Sequence, residues 1–288
     1  MSSPLLTLVT LLVSAASLLS LLPLSFAMAS AAAPLRLANQ RVLVTGAGRG
    51  IGRAIALVCN KEGARVAITS RTETELEETR KLAADPDNMF CCVSDVTNTE
   101  EVEKMVETVV DTFGGLDILI SNAGAGHPKG PLETLSTDDL RRLIDLNVCG
   151  VHSVTSAVLR QAMLPAQSGK IVNISSRAGK VGLPNYSLYC ASKFALEGLS
   201  AALAEEVRGK GIVVNTLSPG MVDTKSFPKP EGKKGVRTAE SIADCLFLLL
   251  ESGANGQYIH ADELDEARAA GKEDNAALKP IREPVFVP

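Results

Sequence analysis

The 288 residues carry 29 Lys and Arg against 33 Asp and Glu, a net charge of −4 with the two signs interspersed. That balance gives no basic footprint for nucleic acid, and with 3% aromatic residues and no Trp there is no platform for base stacking. Six cysteines, Cys91 and Cys92 adjacent in an expected core strand and the rest scattered, read as buried free thiols rather than a disulfide framework or a metal set.

The chain opens on 35 residues without a charged side chain. From Pro4 to Pro23 they are almost entirely Leu, Val, Ala, Ser and Thr. As a helix this run reaches roughly 28 Å, close to the bilayer core of about 30 Å. Ala27-Met28-Ala29-Ser30-Ala31 then offers small residues of the kind found at a signal cleavage site. Two readings stand. One is an uncleaved membrane anchor, with Arg36 and Arg41 after it placing the rest of the chain on the cytoplasmic side. The other is a cleaved signal directing the chain to the secretory pathway or an organelle. The acceptor pattern Asn185-Tyr186-Ser187 favours the first, because a glycan there would crowd Tyr189, four residues further on. Asn173-Ile174-Ser175 is a second such pattern, in an expected buried strand.

Next comes a β-branched run, Arg41 to Thr45, cut off by Gly46-Ala47-Gly48-Arg49-Gly50-Ile51-Gly52 and followed by a helical pattern through Ala54, Ile55, Leu57 and Val58. Strand, glycine turn and helix in that order let a backbone approach a pyrophosphate, with the helix N-terminus supplying free N–H groups. The second strand ends at Ser70-Arg71. A carboxylate for the ribose 2′-hydroxyl is expected near this place in an NAD site, and none is present there. Arg49 and Arg71 instead stand where a 2′-phosphate would lie, which favours NADP(H).

Further strands are expected at Met89–Val93, Ile118–Ile120, Ile171–Ser175 and Ile212–Leu217, with helices over Asn98–Phe113, Thr137–Met163 and Ser187–Val207. Their alternation predicts one doubly wound α/β domain, a mostly parallel sheet with helices on both faces. Its bounds are residues 36–261, after the 1–35 segment and before a charged helix and loose tail over 262–288. In the last long helix Tyr189 and Lys193 are four apart and share a face. An ammonium there should pull the phenol's pKa down from about 10. Ser176, arriving from a strand end, could hold the oxygen that receives the proton, which makes a site for protonating an alkoxide as it forms from a carbonyl.

These motifs together resemble the short-chain dehydrogenase/reductase family, NADP(H)-dependent reductase type. The likeness rests on Thr45-Gly46-x-x-x-Gly50-x-Gly52, Asn122-Ala123-Gly124, Asn147, Ser176, Tyr189-x-x-x-Lys193 and Pro219-Gly220-Met221-Val222-Asp223-Thr224. It implies that Tyr189 is the general acid, and that Lys193 binds the nicotinamide ribose and lowers the tyrosine's pKa. Ser176 would bond the substrate oxygen, and Asn147 would fix a water relaying protons to Lys193. Asp95 with Val96 would contact the adenine, and Val222 and Thr224 the carboxamide. It also implies a homodimer or homotetramer built through the two long helices.

The activity expected is NADPH-dependent reduction of a ketone or aldehyde. Oxidation of a secondary alcohol and reduction of a 3-oxoacyl group are alternatives, the latter weakened by the charged tail. A silent NADP(H)-binding scaffold or sensor is the alternative outside enzymes. Substrate choice should lie in residues 125–131, 177–186 and 221–237, with Leu183, Met221 and Phe227 as an apolar wall. The last of these loops carries Lys225, Lys229, Lys233, Lys234 and Arg237 against Asp223 and Glu231, which suits an anionic substrate, a membrane surface or plain solvent.

Overall fold

A computed structural model describes residues 34–281 apart from 127, 226, 227 and 230. The apolar run before Pro34, Phe227 of the expected apolar wall and the last seven residues therefore lie outside the described residues.

Eight strands form one sheet in the order β3-β2-β1-β4-β5-β6-β7-β8. They are β1 (Arg41–Thr45), β2 (Arg65–Ser70), β3 (Met89–Val93), β4 (Ile118–Ser121), β5 (Gly169–Ile174), β6 (Ile212–Ser218), β7 (Gln257–His260) and β8 (Lys279–Pro280). All pairings are parallel except β7 with β8. The order reverses between β1 and β4, and their carboxyl ends open a crevice there.

The strands read as continuous apolar runs because both faces are covered. Val42 and Val44 of β1 pack with Ile55 and Ala56 of α1 (Gly50–Lys61) and Leu246 of α6 (Ala243–Glu251). Leu43 between them faces Val102 and Val106 of α3 (Thr99–Phe113) and Val154 of α4, the helical run over residues 137–166. Helix α2 (Glu73–Lys81) lies beside β2 and β3, α5 (Ser187–Glu206) beside β6, and α7 (Ala261–Ala269) follows β7.

Local chemistry fixes the ends. The Asn98 side chain accepts the N–H groups of Glu100 and Glu101 at the start of α3, and Gly114 closes it at φ 74°. Ser136 and Asp139 form a reciprocal capping box at the start of α4.

Three features depart from the sequence expectation. Helix α4 is broken by two π turns, Asp145–Cys149 and Leu159–Met163. Strand β3, expected in the core, is an outer strand, so Cys91 and Cys92 are only half-buried, and Cys149 is exposed. The tail is held more firmly than its composition implies. Ile281 is buried and donates its N–H to the Gly256 carbonyl (2.8 Å), while Lys180 Nζ donates to the Ile281 carbonyl.

Candidate active site and cofactor cleft

Thr45 ends β1 with its hydroxyl buried, accepting the N–H groups of Asn122 and Ala123 (3.0 Å each). In return the Asn122 amide donates to the carbonyls of Thr45 (2.9 Å) and Gly46 (3.1 Å). These bonds sew the turn after β1 to the turn after β4. Gly46 sits at φ 64°, and a Cβ on it would lie 2.9 Å from the Ala123 Cα. A Cβ on Gly52 would overlap the Gly46 carbonyl oxygen and the Asn122 amide nitrogen. The glycines are thus demanded by close approach as much as by dihedral angle. Arg53 Nε donates to the Gly48 carbonyl (3.0 Å) and fixes the turn from the side. The N-terminus of α1 has no side-chain cap and no acidic residue in its first turn, which leaves it suited to an anion.

That N-terminus opens on a cleft of about 350 Å³. Gly46, Arg49, Gly50, Ile51, Arg71, Asp95, Val96, Asn122, Ala123, Gly124 and Thr224 line it, as the sequence motifs anticipate. Thr45 and Gly52 stand behind the lining as structural supports. Pro219, Gly220, Val222, Tyr189 and Lys193, also expected at the cofactor, are not among its lining residues. Val222 is buried in the core, and Gly220, at φ 71°, would press a Cβ to 2.8 Å from Asp262 Oδ1.

The far end of the cleft holds charges that sequence spacing did not reveal. Arg49 Nη1 is 3.1 Å from Glu75 Oε1, and Arg71 Nη1 is 3.7 Å from Asp95 Oδ2. Glu75 lines the cleft, so a carboxylate is present after all, supplied from α2 rather than from the end of β2. The Thr72-x-x-Glu75 pattern carried a signal, being that of a capping box, but no side-chain cap forms and Glu75 pairs with Arg49. Burial pushes the Asp95 carboxyl up, but the N–H and hydroxyl of Thr97 and the Arg71 guanidinium outweigh it and hold it below the usual range. Lys225 is another lining residue that the motifs missed.

The catalytic candidates meet at the ends of β5 and α5. Ser176 follows β5, and its Oγ accepts the Ala178 N–H (3.1 Å). It also hydrogen-bonds the half-buried Tyr189. Lys193 is buried one turn further along α5, its Nζ donating to the Ile174 carbonyl (2.9 Å) and lying 5.8 Å from the centre of the Tyr189 ring. The expectation that this ammonium draws the phenol's pKa down is not met. Burial raises Tyr189 to about 12 against the lowering effect of Ser176, and burial lowers Lys193 to about 8.

Asn147 sits in the first π turn of α4. Its Oδ1 accepts the Ala125 N–H (3.0 Å) and its Nδ2 donates to Ser192 Oγ (3.2 Å), which donates in turn to the Tyr189 carbonyl (2.8 Å). Its side chain therefore ties the β4 turn to the tyrosine's helix. Gly124 and Leu146 join this corner to the cleft: both line it, and a Cβ on Gly124 would be 3.2 Å from Asn147 Oδ1.

Residues 40–233 match the short chain dehydrogenase family. A relative from Arabidopsis thaliana, "NADPH-dependent pterin aldehyde reductase", is 37% identical over 196 residues, covering 68% of this chain and 80% of its own length. "Sorbitol dehydrogenase" from Cereibacter sphaeroides is 34% identical over 200 residues, 69% of this chain and 77% of that one. Among solved structures, a variant of actinorhodin polyketide ketoreductase with NADPH superposes with TM-score 0.71 at 29% identity, over 77% of this chain and 95% of that one. Levodione reductase gives TM-score 0.73 at 27% identity, over 81% and 99%.

Proposed function

This chain belongs to the short-chain dehydrogenase family, and we propose that within it the protein is an NADPH-dependent reductase of a ketone or aldehyde. The observation that carries the reading is the group Ser176, Tyr189 and Lys193 at the ends of β5 and α5, tied through Ser192 and Asn147 to the turn of Gly124, which lines a glycine-rich cleft with two arginines at its far end. The cleft suits the cofactor by its own chemistry. Glycines that leave no room for a Cβ and the uncapped start of α1 would take the pyrophosphate, and Arg49 and Arg71 the 2′-phosphate. Asp95 and Val96 would face the adenine, and Asn122, Ala123, Gly124 and Thr224 the remainder. A relative named as NADPH-dependent and a ketoreductase solved with NADPH support the same choice.

Bound NADPH supplies the hydride. The protein's part is the proton. With its pKa near 12, Tyr189 keeps its proton throughout the physiological range and is always loaded as an acid. The alkoxide forming at the substrate carbonyl is the stronger base and takes that proton, while Ser176 Oγ holds the same oxygen. Lys193, an ammonium 5.8 Å from the ring centre, offsets part of what burial costs the phenolate left behind, without bringing the phenol's pKa below its ordinary value. Its charge is present below about 8 and lost as pH rises through that value, so turnover should fall on the alkaline side near there, well before Tyr189 itself titrates.

The same site run backwards oxidises a secondary alcohol, a second reading favoured by the relative named sorbitol dehydrogenase. Assembly as a homodimer or homotetramer through the outer faces of α4 and α5 belongs to the proposal, since Leu164 and Phe194 are exposed there.

The test is oxidation of NADPH and NADH by the protein against a panel of ketones, aldehydes and β-ketoacyl esters. Turnover with NADPH preferred is expected, and Tyr189→Phe should lose roughly a hundredfold or more in kcat while NADPH affinity stays within about threefold. Comparable turnover in the variant removes Tyr189 as the acid. Tight NADPH binding without turnover on any carbonyl or alcohol returns the scaffold reading.

A further inference from the structure

We propose that Glu197 is a positioning residue for this site: its buried carboxylate, clamped by Lys180 and Thr216, sustains the positive charge of Lys193 one helical turn away. The inference rests on the reading that Tyr189 and Lys193 form the reducing corner.

Glu197 is 1% exposed, far below what a carboxylate tolerates without partners. Its Oε2 lies 3.0 Å from Lys180 Nζ and accepts the Thr216 hydroxyl at 3.2 Å. Its Oε1 is buried and takes no hydrogen bond among the described residues. The Lys180 pair is itself divided, because Lys180 Nζ also donates to the Ile281 carbonyl and lies 4.5 Å from the centre of the Tyr258 ring. The carboxylate has a second cationic neighbour.

That neighbour is Lys193. The two residues are four apart on α5, the spacing that places side chains on one face. The turn carrying Lys180 is pressed against this same stretch. A Cβ on Gly179 would sit 2.9 Å from both Glu197 Cγ and the Lys193 carbonyl oxygen, so only glycine lets the turn approach. Lys193 makes one hydrogen bond among the described residues, to the Ile174 carbonyl, and its burial favours its neutral form. The field of Glu197 acts against that effect of burial.

The charged and titratable groups around the pair come from several elements. Tyr189 shares α5, Arg177 and Lys180 stand in the turn after β5, Tyr258 projects from β7, Glu263 lies on α7, and β6 contributes the neutral Thr216. Of these, the cations oppose the charge on Lys193, and Glu197, four residues from it on the same helix, supports it. A carboxylate serving only as counter-ion to Lys180 would leave Lys193 indifferent to its removal.

The experiment is a pH titration of the full chain with 13C-labelled lysine side chains, the Lys193 signal assigned by its loss in Lys193→Met. In Glu197→Gln the Lys193 midpoint should fall by about one unit, the low end of what an opposite charge at close range exerts. The alkaline fall in turnover should move down with it. Lys180→Gln removes the opposing cation and should move the midpoint up. Thr216→Val loses a hydrogen bond without changing charge and should leave it in place. An unmoved midpoint in Glu197→Gln, whatever its melting temperature, overturns the proposal and makes Glu197 a counter-ion only. Should that variant fail to fold, an unmoved midpoint in Lys180→Gln overturns it equally. Turnover surviving in Tyr189→Phe defeats the underlying reading, and the lysine midpoint still decides the coupling independently.

Discussion

Arg49 and Arg71 give the cleft its claim on a 2′-phosphate, yet each already faces a carboxylate, Glu75 at 3.1 Å and Asp95 at 3.7 Å. The corner is therefore two positive and two negative charges, not a bare cationic fork. Ion pairs this exposed are worth at most about 1 kcal/mol, whereas a phosphate can take two charge-assisted bonds from one guanidinium. The phosphate should win the arginines, with Glu75 as a residual penalty. Glu75→Gln should then tighten NADPH binding about three- to tenfold and change NADH affinity less than twofold, as read by fluorescence titration. Arg71→Asp should do the reverse and shift the preference toward NADH. If Glu75→Gln weakens NADPH instead, the carboxylate is holding Arg49 in its working position rather than competing for it.

The elements that carry the site were legible to different degrees. The glycine turn and its flanking strand and helix could be read because each leaves a compositional mark: β-branched residues in β1, glycines where backbones touch, an apolar stripe in α1. The Ser176, Tyr189 and Lys193 spacing was legible too, but the pKa values were not, because burial is a tertiary property and outweighs the charge that sequence spacing suggests. The π turns in α4 add one residue to a turn without altering composition, so a single uniform helix was the natural reading. Strand β8 is a Lys-Pro pair that becomes a strand only because the Gln257 and Tyr258 backbones lie opposite it. Steric demand at the glycine turn makes a prediction of its own. Gly52→Ala places a methyl group against the Gly46 carbonyl and the Asn122 amide, backbone and locked side chain that have nowhere to go. It should cost about 1–3 kcal/mol in urea unfolding and weaken cofactor binding. Gly48→Ala meets Glu75 Cβ at 2.9 Å and Ser70 Oγ at 3.0 Å, side-chain atoms that can shift, so its stability loss should be the smaller. Equal losses would mean that the two positions yield alike.

At the scale of the whole molecule the open matter is where this enzyme works. No helix among the described residues is long and apolar enough to cross a membrane, and the segment ahead of Arg36 carries no charged side chain. We propose that residues 1–35 hold the protein to a membrane with the catalytic domain on the cytosolic side. In the folded domain Arg36 pairs with Glu251 and Arg41 with Asp117, each at 2.6 Å, but orientation is set during insertion, when lysines and arginines are counted and acids scarcely matter. Asn185 provides an internal reporter. It is exposed at φ 65° in the turn just before α5, where a lumenal glycosyltransferase would reach it, whereas Asn173 is buried in β5. The full chain should therefore resist alkaline extraction from membranes, lose that resistance when residues 1–35 are deleted, and show no mobility change on glycosidase treatment. A glycan on Asn185, together with a mature N-terminus beyond Ala31, would instead mean a cleaved signal and a lumenal enzyme. Retention of the deleted form on anionic vesicles would shift attention to Lys225, Lys233 and Lys234. Arg237 of the same loop is already committed to Asp262 and Asp265, so the loop's lysines, Lys229 included, would have to supply the attraction.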